Sequence, residues 1–527
     1  MIELKNISFE YSAGEGIESG AAGGVGEKIA NGSLKNIDLS IADGEFVLLT
    51  GGSGCGKTTV LRLINGLIPN FFEGKLEGSV SVDGIDVAHA ELYDTAKIVS
   101  TVFQNPRSQF FNVDTTSELA FACENQGIAE SEILRRIDST VKEMHLEPLM
   151  NRSLFDLSGG QKQKIACASV AVTGNKIILL DEPSANLDLR TIDELAALLK
   201  KWKSEGKTIV VAEHRISYLW NLADRTIVLK DGRIVQELSR EKMNEITEEE
   251  LHKLGLRSKD CRGKPDNDTQ FNPDNDVLEM SSSGLWIARH PELVSRANTQ
   301  ETLKQVQGDN EQVQHDKGNF LTLQDFRYKY RNGYTALNIP QMQIPVGKIT
   351  AITGNNGDGK TTLLNCLCGL GRRSKGTLLY NGKAYNRHQR QKLIFLVMQD
   401  VNHQLFTESV LDEVLISQTE PDEEKARQIL ASLDLEQFAD RHPQSLSGGQ
   451  KQRVAVACAI ASGRDIMLFD EPTSGLDYTH MLQISGILRK LKEHGKTVIV
   501  VTHDRELISE CCDEEICLHD FNQIKPN

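Results

Sequence analysis

Long apolar runs are missing from this chain. No stretch approaches the ~20 consecutive apolar residues of a membrane-spanning helix. Short runs such as Ile177 to Leu180 and Val498 to Val501 have the length of buried parallel strands. Basic charge is also scarce: 59 Lys and Arg face 74 Asp and Glu, a formal net charge of −15. That balance argues against a nucleic-acid partner, because phosphate binding draws on a basic surface. The ten cysteines include no C-x-x-C pair, so neither a metal cage nor a disulfide framework is expected. The start, Met1-Ile2-Glu3-Leu4-Lys5, is no secretory signal. The expectation is a cytoplasmic protein that meets a membrane only through partners.

What the chain has is a repeat. Gly51-Gly52-Ser53-Gly54-Cys55-Gly56-Lys57-Thr58, followed by Thr59, returns as Gly354-Asn355-Asn356-Gly357-Asp358-Gly359-Lys360-Thr361, followed by Thr362. Leu157-Ser158-Gly159-Gly160-Gln161 returns as Leu446-Ser447-Gly448-Gly449-Gln450, and Asp181-Glu182-Pro183 as Asp470-Glu471-Pro472. Ser158 and Asp181 are 23 residues apart, as are Ser447 and Asp470; Asp181 precedes His214 by 33 residues, as Asp470 precedes His503. Equal spacing implies one shared fold. The halves are not interchangeable, since 101 residues separate Lys57 from Ser158 but only 87 separate Lys360 from Ser447.

We place a first domain at 1–255 and a second at 320–527. The polar, Asp-, Asn- and Gln-rich segment between them, 256–319, has the composition of a flexible linker. It holds its own small repeat, Gln305-Val306-Gln307-Gly308-Asp309 and Gln312-Val313-Gln314-His315-Asp316. Seven glycines from Gly14 to Gly32 interrupt an antiparallel-looking start, and a loop insert is expected there.

Around each glycine-rich stretch the pattern reads strand, turn, helix. Phe46 to Leu49 leads in, and Val60, Leu61, Leu63, Ile64 and Leu67 follow at helical spacing; Ile349 to Ile352 and Leu363, Leu364 and Leu367 repeat this. An α/β core with ligands at the carboxyl ends of its strands follows. Glycines at 51, 54 and 56, and at 354, 357 and 359, let backbone N–H groups close around phosphate oxygens, with the positive end of the next helix behind them. Lys57 and Lys360 can reach the terminal phosphates, and the Thr58 and Thr361 hydroxyls can ligate Mg²⁺. Asp181 and Asp470 end apolar strands, where a carboxylate suits Mg²⁺ through water. Glu182 and Glu471 follow directly and are placed to polarise an attacking water. Cys55 lies beside Lys57 at a helix N-terminus, a setting in which a thiol pKa can fall.

These residues carry a resemblance. Outside the linker and the glycine-rich insert, the chain resembles a tandem ATP-binding-cassette (ABC) ATPase. The resemblance implies two P-loop NTPase domains, each with a RecA-like core, an antiparallel β subdomain and a helical signature subdomain. It also implies that the LSGGQ helix of one cassette faces the γ-phosphate held by the other. Ser447, Gly448, Gly449 and Gln450 then complete the Lys57 site, and Ser158, Gly159, Gly160 and Gln161 the Lys360 site. Gln104 and Gln399 match Q-loop glutamines near Mg²⁺ and the attacking water. His214 and His503 match switch histidines, Leu187-Asp188 and Leu476-Asp477 match D-loops, and Tyr11 and Tyr330 match adenine-stacking aromatics. Every catalytic position is filled in both halves, so two hydrolytic sites using ATP and Mg²⁺ are expected.

Asn65-Gly66-Leu67-Ile68-Pro69-Asn70-Phe71-Phe72-Glu73-Gly74 and the stretch Val102 to Phe111 are similar to those of energy-coupling factor (ECF) transporter ATPases. Met398 to Phe406 fits the second half of fused members. The resemblance implies an importer motor on the cytoplasmic membrane face, driving a transmembrane coupling protein and a small substrate-binding membrane protein, with a vitamin or transition-metal ion as cargo. Phe71, Phe72, Phe110 and Phe111 sit in polar loops and are expected to face that partner. The alternatives are a soluble ABC ATPase acting on ribosomes or nucleic acid, and the tandem motor of a conventional sugar importer.

Overall fold

The computed structural model describes residues 1–12, 32–185, 187–260, 320–331, 333–446 and 448–523. The glycine-rich insert from 13 to 31, the linker from 261 to 319 with its small repeat, and Ser447 lie outside the described residues. Residues before 261 and after 320 belong to one compact unit.

Each half is built on a mostly parallel sheet. In the first, the strand order is Arg233–Ser239, Arg225–Lys230, Phe46–Gly51, Thr208–Ala212, Ile177–Asp181, Val99–Val102. Every neighbouring pair is parallel except the outermost, Arg233–Ser239 with Arg225–Lys230. In the second the order is Ile394–Val397, Ile466–Asp470, Thr497–Val501, Ile349–Thr353, Glu514–Cys517, all parallel. The central strands are apolar without alternation because both faces are covered. Val47 and Leu49 face a core shared with the helix Lys57–Ile64, whereas Phe46 and Leu48 face one shared with Ile192, Leu195 and Leu199 of the helix Leu189–Ser204. Met467 and Phe469 divide from Ile466 and Leu468 in the same way.

An antiparallel sheet lies beside each of these: Leu34–Ile41, Ile2–Tyr11, Gly74–Val82, Ile85–Asp86 in the first half, and Thr335–Pro345, Phe320–Lys329, Lys375–Tyr380, Lys383–Tyr385 in the second. A helical layer completes each half. Thr115–Asn125, Glu130–Glu143 and Gly159–Thr173 share one core; Val410–Ser417, Glu423–Ser432 and Gly448–Ala461 share its counterpart. The α/β cassette expected from the sequence is therefore present twice. The extra length of the first copy falls in two places. Eight residues precede Gln104, where the short helix Leu67–Asn70 sits, and six follow it, where the helices of the first copy are longer.

One boundary differs from expectation. The linker reading begins at 256, yet Leu256 and Arg257 are each 2% exposed. Composition hid this, because Arg257 is buried by pairing with acids distant in sequence rather than by apolar neighbours.

Phe469 sits fully buried one residue before Asp470. Phe469→Ala should cost about 3–5 kcal/mol of stability, read as a lowered thermal unfolding midpoint of the full chain. A shift indistinguishable from wild type would contradict the packing described.

Candidate nucleotide sites

Both glycine-rich loops follow the central strand of their sheet. At Gly51 φ is +146°, and a Cβ there would lie 2.0 Å from the Leu229 carbonyl oxygen. At Gly359 φ is +92°, and a Cβ would lie 2.6 Å from the Ala336 carbonyl oxygen. Side chains are sterically excluded at both positions. The helices Lys57–Ile64 and Lys360–Leu367 begin at Gly56 and Gly359 without a side-chain cap. Their first-turn N–H groups thus present a partial positive charge suited to phosphate. Lys57 Nζ donates to the carbonyls of Gly51 and Gly52, both at 3.1 Å, and lies 3.2 Å from His214 Nε2. Lys360 Nζ donates to Gly354 O at 2.7 Å and Asn355 O at 2.9 Å.

The carboxylates expected from the sequence arrive at the same places. Thr58 Oγ1 donates to Asp181 Oδ1 at 3.0 Å. Burial and the neighbouring Glu182 push the Asp181 carboxyl up to about 7. Glu182 leaves the strand with φ of +43° and Glu471 with +48°, a left-handed geometry that non-glycine residues adopt at a cost. Gln104 Nε2 donates to Glu182 Oε2 at 2.6 Å, and His214 Nε2 stands 3.3 Å from Oε1. Burial acts to raise the Glu182 carboxyl, but His214, Lys57 and Gln104 outweigh it and hold it low.

At the second site His503 N donates to Glu471 Oε2 at 3.4 Å. His503 Nε2 lies 3.6 Å from Glu471 Oε1. Burial, opposed by Arg215 and Lys360, brings Glu471 up to about 7, while burial with Lys360 and Arg215 takes His503 down to about 4. Asp470 Oδ1 is buried with no hydrogen-bond partner. A buried carboxylate oxygen without a hydrogen-bond partner, on an aspartate that Thr361 also engages, is a donor set that fits Mg²⁺.

The halves build these sites jointly. A cleft of about 340 Å³ is lined by Lys360, Thr361, Gln399, Asp470 and Glu471 of the second half and by Ser158, Gly159 and Gly160 of the first. Asp188 and Asp477 tie the halves together. Asp188 Oδ1 accepts from Thr191 N at 2.8 Å, capping its own helix, while Oδ2 accepts from Asn356 N in the opposite loop at 2.6 Å. Asp477 Oδ1 accepts from His480 N at 2.9 Å, and Oδ2 from Ser53 N in the first loop at 2.7 Å.

Some residues fall elsewhere than expected. Tyr11 is 6% exposed; its hydroxyl lies 3.1 Å from Thr59 Oγ1, and its ring stands edge-on to Phe9 and Phe72. It is a core residue and offers no face to an adenine. Tyr330, 43% exposed, does line the second cleft, together with Tyr334, stacked 6.3 Å from it. Sequence reasoning missed Tyr334, which the Tyr330 N to Tyr334 O turn brings back beside its partner. Gln161 closes a capping box on Ser158 instead of lining the cleft. Gln450 is buried. Burial, the largest effect, raises the Cys55 thiol despite Lys57, so the fall that such a position permits does not occur.

A P-loop, a strand-end acidic pair and a capped helix supplied from the opposite half define a nucleotide hydrolase with shared sites. The chain matches the family described as ABC transporter over residues 34–185 and 337–474. It belongs to that family and is an ATPase of its tandem kind. It is 39% identical over 525 residues to a putative ABC transporter ATP-binding protein of Treponema denticola, covering 100% of this chain and 96% of the relative. A protein of the same description in Methanosarcina acetivorans is 32% identical, covering 92% and 81%. An archaeal ribosome recycling factor, solved with the ribosomal stalk protein aP1, aligns over 92% of this chain and 85% of its own with a TM-score of 0.58. At 22% identity that likeness speaks to the fold alone.

Two outcomes are expected. Glu182→Gln and Glu471→Gln should each slow steady-state ATP hydrolysis, and the double variant should lose on the order of 100-fold; an unchanged rate in either single variant would mark its site as silent. Cys55 should react with a maleimide several-fold more slowly than free cysteine, as a raised thiol pKa requires, and ATP should protect it. Mass spectrometry of the labelled peptide measures both, and fast labelling indifferent to ATP would contradict the burial.

Proposed function

We propose that this ATPase is the motor of a membrane importer of the ECF type, taking a vitamin or transition-metal ion. In this reading the cassettes, 1–255 and 320–527, bind two ATP molecules between them. Thr58, Gln104 and Asp181 hold Mg²⁺ at one site, and Thr361, Gln399 and Asp470 at the other, where the ion neutralises phosphate charge. Glu182 and Glu471 polarise the attacking water, and His214 and His503 contact the terminal phosphate. Ser158 caps a helix aimed at the nucleotide of the opposite cassette, and the resemblance gives Ser447, which lies outside the described residues, the matching role.

The observation that carries the partner reading is a matched pair of exposed aromatics. Phe111 and Phe406 each lie seven residues after their Q-loop glutamine and are 75% and 73% exposed. Each is presented by the same device. Buried Glu118 accepts from the backbone N–H of Phe111 at 3.0 Å and of Asn112 at 2.8 Å; buried Glu413 accepts from the N–H of Phe406 and, at 2.6 Å, of Thr407. Phe111 also stacks on Phe121 with ring centres 4.9 Å apart, yet both Phe111 and Phe406 keep most of their surface in solvent on loops fixed from beneath, the arrangement of a partner-facing anchor. Phe71 is likewise 67% exposed, whereas Phe72 packs under Arg62 and Phe110 turns into the core. Among the described residues no helix is long and apolar enough to cross a membrane. In this reading the coupling protein is a separate chain, and this one sits peripherally on the cytoplasmic face.

Mild detergent extraction of native membranes with this chain tagged should recover one polytopic protein and one small hydrophobic protein by mass spectrometry. Replacing Phe111 and Phe406 together by Asp should reduce that recovery roughly 10-fold, as loss of two interface anchors implies. Recovery of ribosomes, or of no membrane protein, would overturn the importer reading.

A further inference from the structure

The two halves end differently, and the difference reaches the ATP sites. After its last sheet strand the first half continues through the short helices Arg240–Glu245 and Glu248–Lys253, packs Leu254 and Leu256 into its own core, and then sets Arg257 and Ser258 against the second half. His252 stacks on Tyr478 with ring centres 4.0 Å apart and planes 7° from parallel. Arg257 is 2% exposed and wholly engaged. Its Nε and an Nη donate to the Leu476 carbonyl at 3.2 and 3.0 Å, and its other Nη donates to Asp504 at 2.9 and 3.2 Å and to Glu506 at 3.1 Å. Ser258 N adds a bond to Glu506 at 2.6 Å. The second half has no such grip among the described residues. Its closing helix Leu518–Phe521 and Asn522 return to their own Ala336, Asn338 and Asp358.

The acceptors are the point. Leu476 precedes Asp477, whose carboxylate holds the Lys57 loop through Ser53. Gly475 and Leu476 also line a cleft of only about 10 Å³ beside Glu182 and His214. Asp504 is the direct neighbour of His503 and accepts from Thr473 Oγ1 at 2.6 Å. Burial works to raise the Asp504 carboxyl, but the charges of Arg257 and Arg215 hold it low, so the pairing is ionic. The turn that completes the Lys360 site, around Leu187 and Asp188, has no equivalent clamp among the described residues.

We propose that Arg257 is a positioning residue for hydrolysis at the Lys57 site. From the end of the first cassette it fixes the 475–478 turn against Glu182 and His214, and it ties that turn to the neighbour of His503. The two sites are thereby unequal: the Lys57 site keeps its trans turn in place throughout the cycle, while the Lys360 site must gather its own. The link also couples the sites, because movement of His503 pulls on Asp504 and hence on the turn. This rests on the ATPase chemistry alone and is independent of the importer reading.

The test places Arg257→Gln in two single-site backgrounds of the full chain. In Glu471→Gln, where turnover comes from the Lys57 site, kcat should fall roughly 10-fold, the scale of a typical coupling, with KM for ATP nearly unchanged. In Glu182→Gln, where it comes from the Lys360 site, kcat should change by less than about 3-fold. Equal losses in both backgrounds, a rise in KM without a fall in kcat, or no change would overturn the proposal. If Arg257→Gln does not fold, Glu506→Gln, which leaves the Asp504 pair intact, should show the same site-selective fall in kcat at about 3-fold, and a site-blind effect there would equally overturn it.

Discussion

Two aspartate side chains, Asp188 and Asp477, each divide their two oxygens between the halves. One oxygen caps the carboxylate's own helix; the other accepts an N–H from the phosphate loop of the opposite half. A charged acceptor makes stronger bonds than a neutral one, about 1.5–3 kcal/mol each, so the loops cannot move without disturbing the opposite helix. Everything that makes the sites shared follows from this. The loop geometry is local to each half, but its register against the capped helix of the other half is fixed through these two side chains.

Much of this was legible in the sequence because the relevant residues are locally determined. The loops announce themselves by glycines that no other residue can replace, as at Gly51 and Gly359. The strands carrying Asp181 and Asp470 announce themselves by unbroken apolar runs that only a doubly covered sheet tolerates. Ser158 capping its helix is likewise a local pattern. The crossing of Ser158 to the Lys360 cleft was not in the spacing of the residues; it came from resemblance, and the cleft lining agrees with it.

What stayed hidden depends on contacts remote along the chain. Tyr11 matches an aromatic position, but its surroundings, Phe72, Thr59 and Arg62, come from other elements and draw it inward. Arg257 sits in a stretch whose composition reads as linker, and only its distant acids make it a core residue. Cys55 shows a contest of magnitudes: a lysine and a helix end favour the thiolate, burial opposes it, and burial wins. The equivalence of Phe111 and Phe406 was present in the spacing from the Q-loop glutamines, yet their exposure required knowing that Glu118 and Glu413 turn inward to hold them.

The central claim, that each nucleotide is enclosed by both halves, is tested most directly by vanadate-dependent photocleavage in a Lys57→Ala variant, which leaves only the Lys360 site to trap ADP and vanadate. Irradiation should cut the chain at residues 158–160 as well as in the 354–361 loop, since both line one cleft. Scission confined to the 354–361 loop, or appearing at 448–449 of the same half, would contradict the account.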